Sequence, residues 1–192
     1  LFSGACLRCR KLPLSSRGEL NPVGSGYLFE PTALYFRRPG TVSIHRPGDQ
    51  NSAPADNIAL YRVEPAAAEF IGNNRFGGGG WISAPIRSCG IFALFRDAKP
   101  PSLQFNFPEG ILFSELRPLL GARIEDRGSG VDYDRLRVTL DGTNVIAGYD
   151  PFQKTVEYRP KEELSPGIHR FTVTCADRAG NKSSVSSDFR VK

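Results

Sequence analysis

Residues 122–150 read ARIEDRGSGVDYDRLRVTLDGTNVIAGYD, followed by TVEYRP at 155–160 and GIHRFTVTCADRAGNKSSVSSDFRV at 167–191. Apolar and polar residues alternate through short segments, and turn-forming residues separate those segments. Alternation with a period of two is typical of strands that bury one face. The Asp141-Gly142 pair is a strong hairpin signal. The stretch therefore predicts a β-sandwich and favours a presenting or binding module over a catalytic one.

Candidate strands recur at regular spacing through the C-terminal half of the chain. Seven are predicted, at 102–107, 118–125, 135–140, 144–149, 154–159, 168–176 and 184–191. Seven strands in about ninety residues fit an immunoglobulin-like sandwich. The earlier strand around 122–125 lacks the Cys that would bridge the two sheets. Cys175, on a later apolar strand, is therefore predicted to be a buried small hydrophobe.

The rest of the chain predicts a second β domain and a terminal arm. The expected fold class is all-β, with two β-sandwich domains in tandem and an irregular N-terminal arm. Residues 1–22 form the basic arm because they show no sustained hydrophobic period. The first β-sandwich domain covers 23–97, within which 64–71 could also begin a helical turn. A Pro-rich linker at 98–101 leads to the immunoglobulin-like domain at 102–192.

The charge of this 192-residue chain is a formal net +5. It indicates either an ordinary solvated surface or attraction to an anionic partner. The nearest basic clusters are Arg37-Arg38 and the arm residues Arg8, Arg10, Lys11 and Arg17. Aromatic residues follow strand faces and make no RNA-reading motif, so nucleic acid is not an expected partner. No apolar stretch approaches the roughly 20 residues that cross a bilayer, and we expect no transmembrane segment of the chain's own.

Motifs for catalysis are missing from the sequence. His45 and His169 each lie in a strand-like stretch without a second ligand at short spacing, whereas metal sites need several converging ligands. No Gly-x-Ser-x-Gly elbow is present. The glycine run Gly77–Gly80 continues into Trp81 and a strand without a following Lys, which favours a mobile hairpin over a phosphate loop. We expect no enzymatic activity and no cofactor.

Cysteine spacing at the N-terminus has more than one interpretation. Cys6 and Cys9 form a C-x-x-C pair, but no second pair or nearby His completes a zinc site. An exposed terminal segment is the favoured interpretation. Lipid attachment at Cys6 is the alternative, because small residues precede it.

Acidic residues surround two predicted turns. Asp126, Asp132 and Asp134 flank one turn, and Asp177 and Asn181 flank another. Calcium binds several such oxygens together. Asp, Asn and Gly are also the residues that tight turns select for backbone reasons. Turn formation is the favoured interpretation, and calcium is the alternative.

The C-terminal motifs resemble a known family. Ser129-Gly130-Val131, the Asp141-Gly142 hairpin, Gly167-Ile168-His169 and the loop 177–181 are similar to bacterial immunoglobulin-like modules of the Asp-x-Ala-Gly-Asn type, over about 70 residues. Such modules belong to secreted and cell-envelope proteins, including the non-catalytic C-terminal part of lysostaphin-type metallopeptidases. The resemblance implies a non-catalytic module of the cell envelope.

The first domain has a looser resemblance. Phe29-Glu30-Pro31, Leu34-Tyr35-Phe36 and Leu60-Tyr61 are loosely similar to the ankyrin-type β domain that binds spectrin. That family is not catalytic either. The resemblance implies a domain that acts by protein contact.

These observations predict a non-catalytic scaffold or accessory subunit of a bacterial cell-envelope assembly. We expect it in the periplasm or outside the cell, acting through protein–protein contacts, with a membrane-protein complex as one possible partner. The expected contact residues are Arg8, Arg10, Lys11 and Trp81, together with an exposed strand edge.

The alternative is a module that binds carbohydrate or peptidoglycan, or the non-catalytic C-terminal part of a secreted cell-wall peptidase. Its partner would be cell-wall glycan. Trp81 could stack on a sugar or fill the sandwich core, and its apolar ring slightly favours the core.

Overall fold

The computed structural model describes residues 7–47, 57–76 and 80–192, without the side chains of Arg75 and Phe76. Within these residues the secondary structure consists of strands and contains no helix. The protein is therefore all-β. The chain divides into two compact units, Leu1–Lys99 and Pro100–Lys192, and the division falls inside segment 98–101. Cys6 and Gly77–Gly79 lie outside the described residues.

The described residues of the first unit form nine strands. They are β1 (Arg8–Leu12), β2 (Leu20–Pro22), β3 (Gly26–Glu30), β4 (Tyr35–His45), β5 (Ile58–Val63), β6 (Ala68–Gly72), β7 (Asn74–Phe76), β8 (Trp81–Ser88) and β9 (Gly90–Asp97). A six-stranded sheet has the order β1-β3-β9-β5-β6, with β2 also paired to β9. A three-stranded sheet has the order β4-β8-β7.

Strands β5 and β9 are buried on both faces of the six-stranded sheet. One face packs on the three-stranded sheet, where Leu60 and Leu94 join Ile44 and Ile82 in a core cluster. The opposite face forms a second cluster with other residues, which are Leu20, Ala59, Tyr61, Val63, Ala93 and Phe95. Burial of each large side chain contributes about 1.5–3 kcal/mol. Strands that are buried on both faces have near-continuous apolar sequences, as β5 has with IALYRV.

The N-terminal segment differs from the predicted irregular arm. β1 pairs antiparallel with β3, from Arg8 opposite Glu30 to Leu12 opposite Gly26. β2 pairs with β9, and its Leu20 is 2% exposed. The pairing of an edge strand is made by backbone groups, so basic side chains do not prevent it. Residues 64–71 also differ from a helical turn, because β6 pairs with β5 there.

The second unit also has nine strands. They are β10 (Ser102–Phe105), β11 (Leu112–Phe113), β12 (Leu120–Glu125), β13 (Val131–Leu140), β14 (Thr143–Val145), β15 (Gly148–Asp150), β16 (Thr155–Tyr158), β17 (Gly167–Asp177) and β18 (Lys182–Val191). One sheet has the order β10-β12-β16-β15, and the other has the order β11-β18-β17-β13-β14. β11 and β18 are parallel.

A single core cluster lies between these two sheets. Phe171, Val173 and Phe189 from one sheet meet Leu120 and Ile124 from the other. This is the arrangement of a β-sandwich. Cys175 is 1% exposed in the same cluster, which confirms its prediction as a buried small residue.

The connection after Asp141-Gly142 follows the predicted hairpin and then departs from the prediction. Asp141 has φ 51° and Gly142 has φ 77°, the two positive values that a type I′ turn requires. The predicted strand at 144–149 is instead two strands, because the chain leaves one sheet after β14 and enters the other at β15. Residues 146–147 make this crossing between the sheet edges.

Candidate functional site

The basic residues expected to contact a partner lie on strand β1. Arg8, Arg10 and Lys11 are all exposed. Arg10 forms an ion pair across the strands, with its Nε 3.1 Å from Glu30 Oε2. Both partners are solvent-accessible, so this pair contributes no more than about 1 kcal/mol to stability. Arg8 and Lys11 have no ion pair among the described residues.

β1 is also the last strand of its sheet. It pairs with β3 on one side, and within the described residues no strand pairs with its other side. An edge strand presents backbone N–H and C=O groups that another chain can pair with. The predicted basic contact and the predicted strand edge therefore coincide in β1.

Trp81 does not fill the core, which corrects the expectation that slightly favoured burial. Its side chain is 46% exposed at the start of β8. Ile82 points into the core at 2% exposure, so the strand alternation turns Trp81 outward. His45 lies opposite it in the register, and the two ring centroids are 5.2 Å apart at an interplanar angle of 72°.

A hydroxyl pair adjoins Trp81, with Ser43 exposed and Ser83 buried. Ser43 and Ser83 face each other across β4 and β8, with their Oγ atoms 2.8 Å apart. Ser43 lies two residues before His45 on β4, and Ser83 lies two residues after Trp81 on β8. An aromatic ring beside hydroxyl groups can stack on an apolar ring face and bond to its substituents. β1 belongs to the six-stranded sheet and Trp81 to the three-stranded sheet, so the four predicted contact residues are divided between two sheets.

The acidic residues of the second unit hold turns. Asp126 Oδ2 accepts hydrogen bonds from the N–H groups of Gly128, at 3.1 Å, and Gly130, at 2.5 Å. Asp177 Oδ1 accepts from the Asn181 backbone N–H at 2.8 Å, and its Oδ2 accepts from the Asn181 side-chain amide at 2.6 Å. These bonds match the turn interpretation of the acidic motifs.

His169 is buried near the start of β17, and both of its ring nitrogens have partners. Its Nδ1 is 2.7 Å from Asp141 Oδ2, and its Nε2 is 2.8 Å from the Ser165 carbonyl oxygen. Both partners are acceptors, so only the protonated imidazolium donates to both. Burial works to lower the pKa of His169, but the hydrogen bonds and the charge of Asp141 outweigh burial and raise it.

The same histidine ties the hairpin to the next strand. Asp141 Oδ1 accepts from the backbone N–H of Arg170 at 2.8 Å. The His169 ring stacks on Phe189 with centroids 5.6 Å apart. In the sequence, the two sides of this His169–Asp141 contact were marked by the Asp-Gly hairpin and the Gly-x-His strand start. Only the strand pairing shows that they meet.

The described cysteines are free. Cys9 is exposed on β1, whereas Cys89 and Cys175 are buried. Burial raises the pKa of the Cys89 thiol and raises that of Cys175 to about 11. A nucleophilic cysteine needs a lowered pKa. The two buried thiols are therefore suited to packing.

Two tyrosines form a surface feature that the sequence reasoning missed. The rings of Tyr133 and Tyr149 have centroids 4.5 Å apart, on strands β13 and β15 of different sheets. A groove of about 430 Å³ lies beside them. Tyr133 follows buried Val131 by two residues, beside an irregularity in the β13–β17 register, so strand alternation does not predict its exposure. No helix in the described ranges is long and apolar enough to cross a bilayer.

No protein-family model and no curated protein matches the chain. Solved structures with similar chains include an endo-β-1,4-mannanase from Thermotoga petrophila, at 12% identity and a TM-score of 0.40, over 50% of this chain and 20% of that one. CopC from Methylosinus trichosporium OB3b is 14% identical with a TM-score of 0.38, over 47% of this chain and 94% of that one.

Immunoglobulin domains 1–4 of Sidekick-1 are a further similar structure. They are 12% identical with a TM-score of 0.32, over 84% of this chain and 45% of that one. The chain thus spans about a fifth of the mannanase chain and under half of the Sidekick-1 chain. Similarity at this level assigns no function to the chain, which must be argued from its own surfaces.

Proposed function

We propose that the chain is a non-catalytic scaffold or accessory subunit that acts through a protein–protein contact at strand β1. The observation behind the proposal is that the terminal strand of the six-stranded sheet carries exposed cations at Arg8, Arg10 and Lys11. A partner strand can pair with the backbone of such an edge. Acidic side chains on that partner would match the cations and speed association.

The non-catalytic part of the proposal is supported by how potential catalytic groups are used. Both ring nitrogens of His169 are engaged in bonds that hold the hairpin. Cys89 and Cys175 are buried, and the pKa of each thiol is raised. Neither thiol is therefore set up as a nucleophile at neutral pH.

The location in a bacterial cell envelope is supported by resemblance. The motifs Ser129-Gly130-Val131, Gly167-Ile168-His169 and 177–181 resemble immunoglobulin-like modules of secreted and envelope proteins. The partner in this proposal is a protein of that compartment, and a membrane-protein complex is one candidate.

The test is a pull-down from solubilised envelope membranes at low and high salt. The double variant Arg8→Ala/Lys11→Ala removes two cations that have no ion pair in the described chain, and we expect it to lower stoichiometric recovery of the partner at least tenfold. Arg37→Ala/Arg38→Ala removes the same charge from exposed positions on β4 and should leave recovery unchanged. Equal loss in both variants, or recovery independent of salt, would contradict a specific basic contact.

A second candidate function is carbohydrate or peptidoglycan binding, favoured by the exposure of Trp81 and of the neighbouring Ser43. In this case the chain could be a wall-binding module or the non-catalytic C-terminal part of a secreted cell-wall peptidase. Retention on purified peptidoglycan should be lost in Trp81→Ala and kept in Tyr35→Ala, a matched change at a 77% exposed aromatic. Retention by the Trp81→Ala protein would refute this candidate.

A further inference from the structure

An open side of the second unit brings two sheet edges together. β14 is the last strand of the five-stranded sheet, and β15 is the last strand of the four-stranded sheet. Only residues 146–147 separate the two strands in the chain. The groove of about 430 Å³ lies here, lined by residues of β13, β14, the crossing and β15. This volume is within the range of small-ligand sites, about 300–1,000 Å³.

One wall of the groove is a pair of aromatic rings. Tyr133 and Tyr149 have an interplanar angle of 38°, and their hydroxyl oxygens are 3.4 Å apart. Tyr133 is 46% exposed, while Tyr149 is half-buried. Tyrosine offers a large, stiff contact surface with a polar tip. The pair therefore provides both an apolar ring face and hydroxyl groups.

The groove lining carries little charge. Arg137 is the one cation among the lining residues, and none of them is a carboxylate. Its Nη1 donates to the backbone oxygens of Asp134, at 2.9 Å, and Leu136, at 2.8 Å, so the guanidinium is tied to its own strand. Asn144 adds a neutral amide. Such a lining matches a neutral ligand that has apolar and hydrogen-bonding parts.

A second depression continues the surface across β15. It has a volume of about 230 Å³ and shares Tyr149 with the groove. Asp150 and Glu157 line it and offer carboxylate oxygens to hydroxyl donors. A ligand spanning both depressions would be longer than one ring.

We propose that the Tyr133–Tyr149 groove binds a neutral oligosaccharide. A pyranose ring has apolar C–H faces that stack on tyrosine and hydroxyl groups that bond to Asn144, Arg137 and the tyrosine hydroxyls. An anionic polymer would need a row of cations, and a wholly apolar ligand would leave the lining amide and hydroxyls unpaired. This site lies in the second unit, so it depends on neither function proposed for the first unit.

The test is isothermal titration of the intact chain with three probes: cellohexaose, mannohexaose and the hexamer of N-acetylglucosamine. At least one should bind with a dissociation constant below about 1 mM, the lower limit of useful affinity. Tyr133→Ala should weaken that binding at least tenfold. Tyr149→Phe keeps the ring and should weaken it less, while Tyr35→Ala should leave it unchanged.

A second variant tests the proposal in case the Tyr133→Ala protein does not fold. Asn144 is an exposed edge residue, and Asn144→Ala should weaken binding several-fold with an unchanged melting temperature. The proposal is overturned if none of the three hexamers binds at millimolar concentration. It is equally overturned if binding persists in both Tyr133→Ala and Asn144→Ala, or if Trp81→Ala alone abolishes it.

Discussion

The two units are both β-sandwiches, but they bury their sheets differently. In the first unit the six-stranded sheet has apolar clusters on both faces, one shared with the three-stranded sheet and one covered from the N-terminal segment by Leu14 and Leu20. In the second unit one cluster lies between two sheets. Strands with one buried face alternate apolar and polar residues, whereas strands with two buried faces are apolar almost throughout. The number of buried faces therefore determines which sequence pattern each strand shows.

The largest expected effect tests whether the second face of the first unit is a true core. Phe95 is fully buried there, with its ring 5.5 Å from that of Tyr61. Phe95→Ala should lower the free energy of unfolding by about 3–5 kcal/mol, because it removes a large side chain and leaves a cavity. Phe92→Ala, on the other face, should cost a similar amount. The single Trp lies in this unit, so tryptophan fluorescence during urea unfolding reports on it.

A near-zero cost for Phe95→Ala beside a large cost for Phe92→Ala would mean that only one face stabilises the sheet.

The contribution of the N-terminal segment to the second cluster can be measured separately. Leu20→Ala should cost about 2–5 kcal/mol if this residue closes the second cluster. An exposed leucine on the same segment, Leu7, is the matched control and should cost little when changed to Ala.

The stability of the second unit should depend on the protonation of His169. The pKa of His169 is raised in the folded state by Asp141 and the Ser165 carbonyl, despite burial. A raised folded pKa stabilises the fold below the unfolded pKa, near 6.5, and this stabilisation is lost as pH rises through the folded pKa. Hydrogen exchange of the buried β17 amides, corrected for the intrinsic pH dependence of exchange, should show the stability of this unit falling above about pH 6.5.

His169→Asn is the comparison for that experiment. The variant loses the charged hydrogen bond between His169 and Asp141. Its free energy of unfolding should be lower than that of the wild type by about 1–3 kcal/mol at pH 5.5, and by less at pH 9. An equal deficit at both pH values would show that His169 acts only through packing on Phe189.

The smallest expected effect concerns the basic strand itself. Arg10→Ala removes the exposed pair with Glu30 and should change the free energy of unfolding by less than about 1 kcal/mol. Thermal denaturation should therefore be nearly unchanged, which separates any loss of partner binding from loss of folding. A large drop in melting temperature would mean that β1 depends on this ion pair.

The sequence predicted the second unit better than the first for a physical reason. Its strands bury one face, so alternation located them, and Asp141-Gly142 specified the hairpin with two positive φ values. The split of 144–149 into β14 and β15 was not predictable, because a change of sheet leaves the alternation of a short segment intact. The N-terminal segment was misread as irregular, since backbone pairing at β1 does not require apolar residues.

The types of residue in the candidate sites could be predicted from the sequence, but the residues that lie next to them in the fold could not. The cations of β1 and the aromatic Trp81 could be named from the sequence. The outward direction of Trp81 depends on Ile82 taking the core position. The Tyr133–Tyr149 pair joins two sheets, and only the fold brings those rings to 4.5 Å.

Hydrogen exchange on the captured complex tests the central claim most directly. The amides of β1, Arg8–Leu12, should exchange more slowly in the complex than in the free chain if a partner strand pairs with this edge. The Arg8→Ala/Lys11→Ala protein should lose that protection at a salt concentration where the wild type retains it. Unchanged exchange in β1, with new protection confined to other strands, would contradict a contact at the basic edge.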